Sequence, residues 1–391
     1  MNKKTVIDFI RKYFILIALA VFVFVWILFF AYQKYLQHEI SEQSSIKSKN
    51  GIHSLESMSL GGIDQWILIR GWDQSHPVLL YLHGGPGAPL FPNARRIGFK
   101  TGLEKKYVMV YWEQRGTGKS YSLSIPGESM TIDQFISDTY NLSKYLIRRF
   151  KVKKIYLVGR SWGSLIGLLT VRSHPELFHA FVGIGQLVQP LANDSLSYKY
   201  TLQLAKSYAD SAELEEIKSI GYPPYSLNKI MLQRKWLTKF DALFMKDRFK
   251  YQSENARINL LSTPEYSICD ILMMGIDPYF SSKHLWNAAY YQYNLFELIP
   301  EIKVPVYFIH GRYDYFTPGE LMEKYYHAVS APMGKTMIWF ERSAHEPELQ
   351  EPQKFREIMI NRVLKDVCFQ YSPCSNNFWP LCNTLLRAPL K

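Results

Sequence analysis

The stretch that most constrains the fold is Lys154–Gly163, which reads KIYLV and then Gly159-Arg160-Ser161-Trp162-Gly163. A short, continuous apolar run of this kind predicts a strand buried on both faces, and the apolar residues after Ser161 predict a helix. A chain that passes from strand to helix within so few residues must turn sharply. The flanking glycines allow that turn, because side chains there would collide with neighbouring backbone. The turn lifts the Ser161 hydroxyl out of the sheet edge, and the helix N-terminus offers N–H groups to a developing negative charge. Ser161 is therefore the candidate nucleophile.

The same alternation runs through most of the chain. Trp66–Arg70, Pro77–His83, Tyr107–Trp112, about Ala180–Ile184, Val304–His310 and Lys335–Phe340 read as further strands. Helical spacing of apolar residues marks Thr131–Phe150, with Thr131 as N-cap, and helices are also expected over Leu321–Val329 and Pro352–Asp366. Strands alternating with helices predict an α/β fold with a doubly wound, mostly parallel sheet. Residues 190–300 break the rhythm, with helical stretches such as Ser211–Ser219 and Leu227–Phe244. They read as a helical cap inserted between two parts of the core, residues 53–189 and 301–366.

Three other loops follow strands of that core. His83-Gly84-Gly85-Pro86-Gly87 can point backbone N–H groups inward, so the N–H groups of Gly85 and Trp162 are the expected oxyanion donors. His83 itself reads as a packing residue. Gly311-Arg312-Tyr313-Asp314 places Asp314 just past a strand, while its rival Glu320 lies at a helix start. His345 sits in the loop after the last strand. Ser161, Asp314 and His345 then follow one another in the order nucleophile, acid, base. His345 would take the Ser161 proton, and Asp314 would hold the imidazole in the required tautomer.

Ahead of the core, Phe14–Ala31 (FILIALAVFVFVWILFFA) carries no charge over 18 residues. As a helix it would be roughly 27 Å long, close to the hydrocarbon thickness of a bilayer. It ends in Phe29, Phe30 and Tyr32 rather than in the small residues of a cleavage site, so residues 14–32 read as an uncleaved anchor. Lys3, Lys4, Arg11 and Lys12 in the leader 1–13 outnumber the basic residues just behind the span. That bias predicts a cytoplasmic N-terminus with the body outside. Residues 33–52 are polar and read as a stalk, and residues 367–391 as an appended tail.

Hydrophobic residues make up 47% and charged residues 20% of the 391, a globular balance. The net charge of +12 fits an anionic lipid or polymer surface. No dense basic run with interleaved aromatics points to nucleic acid. Cys269, Cys368, Cys374 and Cys382 lack metal-ligand spacing, and the chemistry implied by a serine nucleophile needs no metal or organic cofactor.

With HGGPG at 83–87, WEQRGTGKS at 112–120, GRSWGS at 159–164, GRYD at 311–314 and SAHEP at 343–347, the chain resembles the proline iminopeptidase-like branch of the α/β-hydrolases. The resemblance covers about residues 55–366. It implies the α/β-hydrolase fold, the triad roles given above, and Arg115 and Gly116 as a buttress of the oxyanion turn. Glu113 stands where the family often has Asp. The family's cap glutamate in a Trp-x-x-Trp-Glu setting is absent; the nearest stretch is Trp236–Asp241, and Glu213, Glu254 and Glu265 are further cap acids without a distinguishing context. The leading expectation is a serine aminopeptidase on short peptides, proline preferred. An esterase or amidase on small acyl compounds would use the same triad with a cap pocket lined by Trp236, Trp286 and Tyr290. A membrane-tethered binding module on an inactive fold is the third expectation.

Overall fold

Nearly every apolar run bounded by glycine, proline or polar turns becomes a strand of a single sheet. The computed structural model describes residues 3–241 and 259–366. Among them the strands are β1 (Ile52–Leu60), β2 (Ile63–Gly71), β3 (Val78–Leu82), β4 (Val108–Glu113), β5 (Ile155–Arg160), β6 (Phe178–Ile184), β7 (Val306–Gly311) and β8 (Lys335–Phe340). Their order across the sheet is β1-β2-β4-β3-β5-β6-β7-β8. From β4 to β8 all neighbours run parallel, whereas the β1–β2 hairpin adds an antiparallel edge. Strand β1 (IHSLESMSL) was not among the predicted strands. It alternates polar and apolar side chains at an exposed edge and so lacks the continuous apolar run that marks a buried strand.

Successive side chains on a strand point to opposite faces, which builds two cores. Leu80 and Leu82 join Leu142, Leu146 and Leu165 on one side. Leu79 and Tyr81 join Phe91, Ile97 and Phe355 on the other. Helices on both sides close these cores: α2 (Phe91–Thr101), α3 (Ile132–Phe150) and α4 (Trp162–Ser173), with α1 (Lys3–Gln43) ahead of them in the chain. Thr131 caps α3 as expected, its hydroxyl accepting the Gln134 N–H at 3.2 Å.

Between β6 and β7 lie α5 (Pro190–Tyr208), α6 (Ser211–Ile220) and α7 (Leu227–Asp241), which bury Tyr198, Ile217, Ile230, Trp236 and Phe240 in a small core of their own. The end of the expected helix Leu227–Phe244, past Asp241, lies outside the described residues, as do Glu254, Cys368, Cys374, Cys382 and the tail 367–391.

Helix α1 does not stop where the polar residues begin. It continues to Gln43, and residues 33–43, expected as part of a stalk, lie against the body instead. The reason is a stripe at helical spacing. Gln33 and Gln37 are buried and donate to the carbonyls of Thr263 and Tyr266, and Ile40 is buried beside them. Arg70 completes the seam by donating to the Ser44 carbonyl at 2.6 Å. Above this seam the large apolar side chains from Phe14 to Phe30 are exposed.

A buried ion pair fastens the antiparallel edge. Arg115 Nε meets Asp138 Oδ2 at 3.0 Å with both side chains fully buried. The guanidinium also donates to the carbonyls of Leu60 and Gly61, while Asp138 accepts from Gln65 and Gln134. Every member has a partner, so hairpin, loop and α3 are held as one unit.

Candidate active site

The site is assembled at the carboxyl ends of β3, β5, β7 and β8, where open α/β sheets bind ligands. At the end of β5, Ser161 adopts φ 52° and ψ −117°, a strained conformation for a residue with a side chain. The strain is held from both sides: the Ser161 N–H donates to Ile184 O at 2.9 Å, and the Ser161 carbonyl accepts the Ser164 N–H at 2.9 Å. The two glycines are needed for close approach. A Cβ at Gly159 would collide with the Gly163 carbonyl, and one at Gly163 with the carbonyls of Leu82 and His83. The positive φ falls on Ser161 itself, and the glycines leave room around it.

Asp314, just past β7, is buried, and its two oxygens face the His345 Nδ1 at 3.0 and 2.9 Å. The N–H groups of Phe316 and Thr317 donate to Oδ1, and the Thr317 hydroxyl to Oδ2 at 2.7 Å. Burial alone would push this carboxyl upward. The charge and hydrogen bond of His345, the nearby His310 and the Thr317 amide outweigh it and hold Asp314 at about 2. It is a carboxylate across the physiological range. With Nδ1–H donating to Asp314, the other ring nitrogen, Nε2, is left as an acceptor. Glu320, the rival acid, instead accepts the Tyr200 hydroxyl on the surface.

Ser161 and His345 line one cavity of about 210 Å³ together with Gly84, Gly85 and Trp162. Among the described residues the Ser161 hydroxyl makes no hydrogen bond, and catalytic hydrogen bonds often tighten only once substrate is bound. Trp162 is the first residue of α4, so its N–H has no partner within the helix. Gly85 has φ 127°, a value that side chains rarely adopt.

The resemblance assigned the buttress of the oxyanion turn to Arg115 and Gly116, but the side chain that braces it is that of Gln114 rather than Arg115. Its N–H donates to His83 Nε2 at 3.2 Å, its amide donates to the His83 carbonyl, and its carbonyl accepts the Trp162 indole N–H at 3.1 Å. His83 is therefore neutral, with Nδ1–H donating to Gly84 O, and burial lowers it to about 4. Arg115 reaches the opposite way, into the hairpin network. Arg160 is a second residue that motif reading passed over. It pairs with Glu346 at 2.6 Å and so ties the Ser161 turn to the His345 loop.

Glu113 occupies the hub behind the oxyanion loop. Its carboxylate accepts the N–H groups of Leu90, Phe91 and Lys119 and the Tyr266 hydroxyl. Burial raises it, these donors pull it part of the way back, and it rests at about 7. Between its ordinary value of 4.5 and about 7 the folded chain holds a proton that the unfolded chain has released. Stability should thus fall as pH rises through that window, by up to about 1.4 kcal/mol per pH unit. Denaturation at pH 5, 6 and 7 checks this: Glu113→Gln should lose that slope, and an identical slope in the variant would refute the assignment.

The remaining wall of the cavity is Arg160, Leu187, Asn193, Arg234, Trp286, Tyr290, Phe316 and Thr317. Trp286 and Tyr290 line it as expected, but Trp236 belongs to the cap core. Of the cap acids named from the sequence, Glu265 pairs with buried Arg95, and Glu213 caps α6 and meets Lys239, both away from this wall. Among the described residues no carboxylate lines the cavity.

Comparison with known proteins agrees with this architecture. A model of the serine aminopeptidase family S33 matches residues 103–238. Over 310 residues the chain is 34% identical to the probable aminopeptidase YbaC of Bacillus subtilis, covering 79% of this chain and 96% of that one. A proline iminopeptidase of Arabidopsis thaliana is 33% identical over 147 residues, 36% of each chain. The solved proline iminopeptidase of Mycobacterium smegmatis shares the fold with a TM-score of 0.58 at 15% identity, over 81% of this chain and 100% of that one.

Proposed function

The chain belongs to the proline iminopeptidase-like family of α/β-hydrolases, and from that premise we propose that it is a membrane-tethered aminopeptidase of short peptides in which Ser161, His345 and Asp314 carry the chemistry. The observation that carries the reading is the commitment of His345 Nδ1 to Asp314, in the same cavity as the Ser161 side chain. His345 Nε2 takes the proton as Ser161 Oγ attacks the substrate carbonyl carbon. The N–H groups of Gly85 and Trp162 hold the resulting oxyanion. His345 then hands its proton to the leaving amine, and an acyl-enzyme forms. Water, deprotonated by His345, attacks the ester and releases the acid and free Ser161. A cavity of about 210 Å³ suits a small residue, and the rings of Trp286, Tyr290 and Phe316 offer flat apolar walls to a pyrrolidine.

One observation favours a second reading. An amine terminus wants a carboxylate, whereas the described wall bears Arg160 and Arg234 and no acid. That lining suits an esterase or amidase on small acyl compounds with the same triad.

The anchor rests on α1, whose apolar window has a mean hydropathy of 3.1 and no buried residue. The basic residues at its start favour a cytoplasmic N-terminus and a body on the far side.

Full-length protein in vesicles, assayed with proline p-nitroanilide beside p-nitrophenyl acetate, tests the function. Turnover of the prolyl amide that vanishes in Ser161→Ala supports the peptidase. Ester turnover alone replaces it with the second reading.

A further inference from the structure

Resting on the reading of α1 as a membrane anchor, we propose that the cap helix Ile268–Ile276 is a second membrane element, lying in the bilayer beside the span with its exposed face against lipid acyl chains. Its sequence, ICDILMMGI, is as apolar as a core helix, yet none of its residues is buried. Ile271 and Met274 pack against the body. The opposite face, Cys269, Leu272 and Ile276 at i, i+3 and i+7, is exposed, with Leu272 and Ile276 at 57% and 58%. The one charged side chain, Asp270, is neutralised at 2.7 Å by Lys119 and also caps the helix start.

Position relative to the span selects lipid as the occupant. Ile268 lines the same apolar groove as Phe22, Val23, Trp26, Ile27 and Phe30. The apolar run of α1 ends at about Tyr32. At about 1.5 Å per residue, Trp26 and Phe30 lie roughly 3–9 Å inside that end. Interfacial helices bury their apolar face about 5–10 Å deep. A span inserted to its full length therefore carries the start of this helix below the headgroups. The same segment reaches the candidate active site, since Ser281 and Ser282 just beyond it donate to the carbonyls of Gly116 and Pro86. Lipid contact thus holds the strap that in turn holds the oxyanion loop.

The test uses the full chain in phosphatidylcholine–phosphatidylglycerol vesicles, with Cys368, Cys374 and Cys382 changed to Ser and a nitroxide on Cys269. A second sample replaces Cys269 by Ser and carries the label at Val21→Cys in the span. Collision with oxygen, enriched in lipid, is compared with collision with a water-soluble nickel chelate, and Ser161-dependent turnover certifies folding of both samples. Oxygen collisions exceeding nickel collisions several-fold at both positions are the expected result. A Val21 label in lipid with a Cys269 label in water overturns the second element and leaves the anchor standing. A Val21 label in water removes the anchor and this inference with it. Low collision with both probes and dipolar broadening at Cys269 would assign the face to a second copy of the chain and overturn the lipid assignment.

Discussion

Ser161→Ala should lower kcat on the order of 10⁴–10⁶-fold while KM stays within a few-fold, because the variant keeps the cavity and loses the bond-forming atom. Asp314→Asn should cost about 10⁴-fold by a different route. The asparagine oxygen can still accept from the Phe316 and Thr317 amides, so the loop stays folded. Its NH₂, however, presents a donor to His345 Nδ1, and the ring answers by moving its proton to Nε2. That nitrogen then has no lone pair for the Ser161 proton. Since both variants disable one unit, the double variant should be little worse than Ser161→Ala alone. Steady-state kinetics on whichever substrate class is turned over decide the matter. An Asp314→Asn enzyme within ten-fold of wild type, or additive losses in the double variant, would remove Asp314 from the proposed role.

The second large effect concerns stability. Asp138→Ala leaves the Arg115 guanidinium with its charge uncompensated and no solvent to receive it, since both side chains are fully buried. Breaking one side of such a pair costs about 3–5 kcal/mol. In a core of this size that lowers Tm by roughly 6–20 °C. Arg115→Met combined with Asp138→Leu removes both charges and should recover much of the loss. Calorimetry on the three proteins measures this. A Tm within about 2 °C of wild type for Asp138→Ala would show that the network contributes little. The residual folded fraction should keep its Ser161-dependent turnover, because Arg115 faces the hairpin and the oxyanion loop is braced by Gln114.

These two sites differ in how they could be read from the chain. The strand before Ser161, the glycines around it and the loops ending in Asp314 and His345 carry local signatures. A buried parallel strand is a continuous apolar run, and a sharp turn needs glycine, so both are written in consecutive residues. Gln114, Arg160 and Glu113 carry no such signature. Each acts through partners far along the chain: Gln114 on Trp162, Arg160 on Glu346, and Glu113 on Tyr266. The same distance dependence put Arg115 on the wrong neighbour, for its motif sets where the residue stands and leaves open which way its side chain reaches.

The sequence by itself determined the strand–helix alternation, the candidate nucleophile with its partners in order, and an apolar run long enough to span a bilayer, because periodicity, turn chemistry and helix length are local properties. Only the tertiary structure decided that α1 continues past the apolar run and docks through Gln33, Gln37 and Ile40. It also left the cavity wall, among the described residues, with arginines and aromatics rather than acids. Those outcomes depend on which distant surfaces meet, and a polar residue reads alike in sequence whether it ends in water or against a buried carbonyl.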